Sequence, residues 1–207
     1  LAGVPNQILR VPFTESATPQ SLKLPDGEPS GSLVAVTADL PGALVSTRSW
    51  TRAGRLYRYD PQSNTLTDTD LLPRGKYDSP ESITSTEAMV TSHDGVQVPL
   101  SIIHRRDIQL NGSNPALLSG YGAYGFTAAM RYSPTQLAWL ERGGVLAIAH
   151  VRGGGAFGKE WHHAGRKQTK SNTWKDFLAC AEYLVKERYT SPEKLSGQGG
   201  SAGGILE

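Results

Sequence analysis

Two different periodicities run along the chain. Over residues 1–80 the apolar positions form short runs separated by turn residues, at 33–37, 43–49, 55–60 and, more weakly, 65–71, with no helical repeat among them. Arg55-Leu56-Tyr57-Arg58-Tyr59 mixes apolar with polar positions, breaks at Asp60-Pro61 and Ser63-Asn64, and resumes at Thr65-Leu66. Aromatic residues suit a pleated, half-buried surface, whereas Asp, Pro and Asn suit tight turns. The segment therefore predicts a β-hairpin of the kind that builds sandwiches and propeller blades.

From about Glu87 the pattern changes. Val96, Val98, Leu100 and Ile102 alternate as one face of a strand, ahead of a polar turn at 109–114. Pro115-Ala116-Leu117-Leu118 predicts a short strand closed by Gly120-Tyr121-Gly122, and residues 134–142 suit a short helix carrying Leu137 and Leu140. Residues 145–151 are nearly continuous in apolar side chains, as a parallel strand covered on both faces requires. Trp174, Phe177, Leu178, Ala181, Leu184 and Val185 recur at i, i+3, i+4, i+7, i+10 and i+11 behind the candidate cap Asn172, which predicts an amphipathic helix. This order of elements predicts an α/β layered domain with parallel strands. The expected division is a β-rich segment at 1–80 and an α/β domain at 81–207, with the boundary near Lys76 to Glu87.

Composition adds mostly exclusions. With 38% hydrophobic and 19% charged residues the chain is of globular type, and 21 basic against 19 acidic side chains leave no excess charge calling for nucleic acid or anionic lipid. No run approaches the roughly 18 apolar residues of a transmembrane helix. The single Cys180 excludes a disulfide framework and fits a reducing compartment, so Asn111-Gly112-Ser113 is read as an incidental sequon. The chain starts at Leu1 and stops at Glu207 inside what reads as a helix, and is expected to be an excerpt.

Candidate chemistry lies near the end. Gly199-Gly200-Ser201-Ala202-Gly203 matches G-x-S-x-G, the nucleophile elbow, in which a serine on a sharp strand-to-helix turn exposes its Oγ. The next residue's backbone N–H then sits beside the developing oxyanion. Small flanking residues are what so tight a turn demands. Ser196-Gly197-Gln198 is a poor buried strand to precede it.

Further landmarks occur in order: Asp94-Gly95, Val98-Pro99, Asn114-Pro115, Gly120-Tyr121-Gly122-Ala123-Tyr124-Gly125, Arg152-Gly153-Gly154-Gly155, Phe157-Gly158 and Trp161-His162. With the elbow, they make the stretch from about Thr91 to Leu206 resemble the catalytic domain of the prolyl oligopeptidase family, which includes oligopeptidase B. The resemblance implies a partial α/β-hydrolase domain at 81–207, ending just after the elbow, and the end of a β-propeller at 1–80. It implies Ser201 as nucleophile, the Tyr121 hydroxyl and the Ala202 N–H as oxyanion donors, and Tyr124 near the pocket for the residue preceding the cut. It further implies no metal or cofactor, short peptide substrates, and a cytoplasmic, monomeric full-length protein without nucleic-acid or membrane partners. Two residues depart from the family pattern: Ala156 stands where an acidic residue is common, and Gly197 where the elbow strand offers an apolar side chain.

In the α/β-hydrolase order the serine precedes the acid and the histidine, whereas His93, His104, His150, His162 and His163 all precede Ser201. The triad Asp and His are therefore expected beyond Glu207, and the 207-residue chain alone is expected to be nearly inert. Two alternatives stay open: a catalytically inactive truncated remnant, and an esterase or acylaminoacyl peptidase with the same elbow. Cleavage after Pro and cleavage after Lys or Arg are also both open. Gly200-Ser201-Ala202 and Tyr124 lean towards the oligopeptidase B side, and residues 111–115 towards the prolyl side.

Gly153-Gly154-Gly155-Ala156-Phe157-Gly158 formally satisfies G-x-G-x-x-G with Asp176 downstream, but the following residues are too short and polar for the helix of a dinucleotide site. His162 and His163 are assigned to a loop or surface, Arg166, Lys167, Lys170 and Lys175 to a solvated basic face, and Cys180 to packing. Exposed apolar surface and strand edges are expected to make the isolated chain poorly soluble.

Overall fold

The computed structural model describes residues 6–12, 18–25, 29–37 and 39–206. They form two compact units, one from the described residues of 5–79 with Met130–Ser133, the other from Pro80–Ala129 and 134–206.

The first unit holds a two-stranded ribbon, β1 (Leu9–Arg10) and β2 (Gln20–Ser21), and an antiparallel sheet of β3 (Ser30–Thr37), β4 (Leu40–Arg48), β5 (Leu56–Asp60) and β6 (Thr65–Asp68) in sequential order. The expected hairpin is β5–β6, closed where Asp60 faces Thr65. Asn64 takes a left-handed φ of 55° there, and Tyr59 donates its hydroxyl to the Asn64 side chain at 2.9 Å. Val45, Trp50, Met130 and Tyr132 are buried, and the Tyr132 hydroxyl donates to the Tyr77 carbonyl.

The second unit is built on a five-stranded sheet. Its strands are β7 (Ile83–Thr91), β8 (Gln97–Arg105), β9 (Ala116–Gly120), β10 (Val145–Ala149) and β11 (Leu195–Gly199), ordered β11-β9-β10-β8-β7. Only β9, β10 and β11 run parallel, and β8 is antiparallel to both β7 and β10. The expected all-parallel sheet is thus a mixed one. The expected one-sided strand at 96–102 is also corrected: in β8 every residue from Val98 to His104 is buried, so side chains on both faces of the strand are covered. β10 instead buries Val145, Ala147 and Ala149 and half-buries Leu146 and Ile148. β7 falls partly within the expected boundary region and was hidden by its Thr- and Ser-rich sequence.

Three helices accompany the sheet: α1 (Pro134–Leu140), α2 (Lys159–His163) and α3 (Ser171–Lys186). α1 buries Leu137 and Leu140 as its spacing predicts. α3 is the expected amphipathic helix, turned from the expected orientation. It buries Thr173, Asp176, Phe177, Cys180 and Leu184 and leaves Leu178 55% exposed. Asn172 is not its cap; Lys170 holds that position, and Asn172 donates its side-chain amide to the Ala164 carbonyl at 2.9 Å. None of the helices among the described residues is long and apolar enough to cross a membrane.

Candidate active site

The parallel trio brings three chain segments to one edge. β10 and β11 both pair with β9 in the same register, so Gly120, Ala149 and Gly199 lie level at the C-terminal ends of their strands. Such strand ends in open α/β sheets are where ligands bind. From them issue Tyr121 with its glycine-rich loop, His150 with Arg152 and its glycines, and Gly200 with Ser201.

β11 forms despite Ser196, Gly197 and Gln198, each of which is exposed at the sheet edge. Gly197 pairs opposite Leu118, so the missing side chain does not prevent the ladder. The chain then turns sharply into the 3₁₀ helix Ser201–Leu206. Ser201 is exposed and takes a φ of 53°, a left-handed conformation that a residue with a Cβ adopts only under local constraint. The turn leaves no room beside it: a Cβ on Gly199 would stand 2.1 Å from the Gly203 carbonyl oxygen, and one on Gly203 would stand 2.8 Å from that of Gly120. The glycines at 199 and 203 are thus a steric requirement, whereas a Cβ on Gly200 would meet nothing within 4 Å.

The same contact sets Tyr121 against the turn. A Cβ at Gly203 would lie 3.4 Å from Tyr121 Cα and 3.5 Å from its ring Cδ2. Ala202 directly follows the serine in the turn. Tyr121 stacks edge-on against Phe126 with ring centroids 5.4 Å apart, and its ring lies 6.5 Å from that of Tyr124. Tyr124 is 82% exposed with a φ of 55°. Tyr124 and Phe126 therefore present aromatic surface beside the serine's edge of the sheet.

Beneath these loops lies a charge network that sequence reasoning missed. Arg152 is 4% exposed and Asp176 not at all, and they are joined by hydrogen bonds from the guanidinium at 2.7 and 2.9 Å and from the Arg152 backbone N–H at 3.0 Å. Ser92 donates its hydroxyl to Asp176 at 2.6 Å, and Arg152 also forks onto Asp94 at 2.6 and 3.1 Å. Those hydrogen bonds hold the Asp94 carboxyl down at about 2 and raise the Arg152 guanidinium. Paired in this way, the buried charges are satisfied. The available sequence signal was an acidic residue at i+3 from Thr173 and adjacent to Phe177 on an otherwise apolar helix face.

That network also disposes of the dinucleotide pattern. A helix does open from Gly158, but α2 has 5 residues and turns Trp161 into the core, while Asp176 is fully buried on Arg152. Ala156, one of the two departures, packs half-buried against the core. Cys180 is fully buried, and burial pushes its thiol up, which suits packing and not nucleophilic attack.

The histidines are committed elsewhere. His162 Nδ1 bonds the Gly153 carbonyl at 2.8 Å, His93 lies by Ser92 and Asp94, and His104 contacts Arg105 and Thr86. His163 lies against His162. His150 Nε2 lies 2.9 Å from Ser101 Oγ, which donates to Glu87 at 2.7 Å, and burial drops the imidazole to about 4. Among the described residues none is hydrogen-bonded to Ser201.

Residues 130–207 match the model of the prolyl oligopeptidase family. The dual function macrocyclase-peptidase POPB of Amanita bisporigera is 36% identical over 169 residues, which is 80% of this chain and 23% of that protein. The prolyl endopeptidase of Elizabethkingia meningoseptica is 39% identical over 134 residues, 65% of this chain and 19% of the relative. The structure of oligopeptidase B from Trypanosoma brucei with covalently bound antipain superposes with a TM-score of 0.86 at 31% identity, covering 97% of this chain and 29% of that one. The chain thus spans less than a third of the length of these relatives.

Proposed function

The chain belongs to the prolyl oligopeptidase family, and from that premise we propose that Ser201 is the nucleophile of a serine-type peptidase acting on short peptides. The observation that carries this reading is the exposed, left-handed Ser201 at the end of β11, walled by glycines and set beside Tyr121. In the proposed reaction Ser201 Oγ attacks the scissile carbonyl carbon while its proton passes to a histidine base of the full-length protein. The resulting oxyanion is held by the Tyr121 hydroxyl and the Ala202 N–H. Collapse expels the amine, which takes that proton, and leaves an acyl-serine that water hydrolyses. The exposed Tyr124 and Phe126 offer an apolar wall for the residue preceding the cut. The first unit's sequential antiparallel sheet is assigned to the end of a β-propeller.

The test uses the full-length protein and a fluorophosphonate, which phosphonylates an activated serine. Ser201 is expected to carry the label, and Ser201→Ala is expected to abolish labelling and lower peptide turnover by roughly a millionfold. Labelling of another serine, or turnover that survives Ser201→Ala, would overturn the assignment. Matched peptides with Pro, Arg or Lys before the cut, and a matched ester, then define specificity. The 207-residue chain alone is expected to stay unlabelled, since no base is hydrogen-bonded to Ser201 among its described residues.

A further inference from the structure

The loop that carries Tyr121 has little regular structure of its own, so something else must fix it. Gly122 takes a φ of 63°, and a Cβ there would stand 2.1 Å from Thr173 Cγ2 on α3 and 2.8 Å from Val151 Cγ2. Its carbonyl oxygen would lie 2.2 Å from a Cβ on Gly153, so the two loops meet backbone to backbone. Gly125 N–H donates to the Gly153 carbonyl at 3.1 Å, and Gly155 N–H to the Phe126 carbonyl at 3.1 Å. Onto this arrangement comes one side chain. Lys170, at the N-cap of α3, reaches the Gly122 carbonyl with its Nζ at 2.7 Å. Among the described residues it is the only side chain hydrogen-bonded to the backbone of residues 121–126.

We propose that Lys170 is a positioning residue for Tyr121, tying the carbonyl of the adjacent Gly122 to the start of α3 so that the phenol stays at the developing oxyanion. Lys170 and Thr173 stand three residues apart on one helix face, the spacing at which side chains are neighbours. One holds the Gly122 carbonyl and the other abuts its Cα, so the residue that follows Tyr121 is gripped from a rigid element. Burial lowers the Lys170 ammonium, in keeping with its partly buried setting. The inference takes Lys170 out of the solvated basic face that its sequence neighbours suggested. It rests on the reading of Tyr121 as an oxyanion donor.

The experiment is a double-mutant cycle in the full-length protein, with kcat and KM measured on one peptide for Lys170→Met, Lys170→Arg, Tyr121→Phe and Lys170→Met with Tyr121→Phe. Tyr121→Phe is expected to lower kcat about a hundredfold or more, as loss of one oxyanion donor does. Lys170→Met is expected to lower kcat by about ten- to a hundredfold with KM little changed, since a displacement of about 1 Å suffices for losses of that size. Lys170→Arg, which keeps a cationic donor, is expected to recover most of the loss. In the double variant the Lys170 change should cost nothing further, because the hydroxyl it positions is gone. Thermal melts of each variant separate positioning from unfolding. Equal losses from Lys170→Met with and without the Tyr121 hydroxyl, or no loss at all, would overturn the inference and leave the oxyanion reading standing. An inconsequential Tyr121→Phe would overturn the oxyanion reading, and the inference with it.

Discussion

At the scale of single residues, burial decides chemistry that residue type leaves open. His150 carries an imidazole pushed down to about 4 by burial beside Ser101 and Glu87. An exposed histidine in the unfolded chain titrates near ~6.5. Between these values the unfolded state binds the proton and the folded state does not. The contribution is therefore intact above about pH 6.5 and is lost as pH falls towards 4, by about 3 kcal/mol in all. Urea unfolding of the full-length protein across that range should show this slope, and His150→Gln should flatten it. An unchanged slope in the variant would assign the acid sensitivity to other groups.

At the scale of elements, the turn at Ser201 joins β11 to a 3₁₀ helix through contacts that admit no side chain at Gly199 or Gly203. Gly199→Ala places a methyl 2.1 Å from the Gly203 carbonyl oxygen and 2.9 Å from the Gly204 nitrogen, both backbone atoms with no flexible side chain to yield. The turn must open, and Ser201 moves with it. Loss of about a hundredfold or more in kcat is expected, with a smaller effect on the thermal melt of the full-length protein. Kinetics equal to those of the parent would show that the turn relaxes freely. α3 makes a complementary point: its polar Thr173 and Asp176 face inward while Leu178 faces out, because ion pairing with Arg152 anchors the helix.

At the scale of the whole molecule, each unit is described by its own sheet. The first ends on β3, an edge strand on which Leu33, Val34 and Val36 are 57%, 55% and 67% exposed. An apolar edge of this kind is a template for pairing with another chain. The 207-residue chain produced alone is expected to self-associate at micromolar concentration. Leu33→Lys with Val36→Lys should shift it towards monomer in size-exclusion chromatography with light scattering. A parent chain that is already monomeric would show that the edge is protected.

The sequence by itself determined the hairpin at Asp60 to Thr65, the helices at Pro134 and Ser171, and the sharp turn at Ser201, since each rests on local periodicity, turn chemistry or a steric demand met within a few residues. The order of glycine-rich landmarks was equally legible in a single chain. Only the tertiary structure decided that β8 is buried on both faces and antiparallel to its neighbours, because strand direction and coverage depend on partners distant in sequence. The Arg152–Asp176 pair and the Lys170 clamp on Gly122 were illegible for the same reason. Charged side chains read singly look solvated, and only the folded chain shows which of them are buried against a carboxylate or a carbonyl.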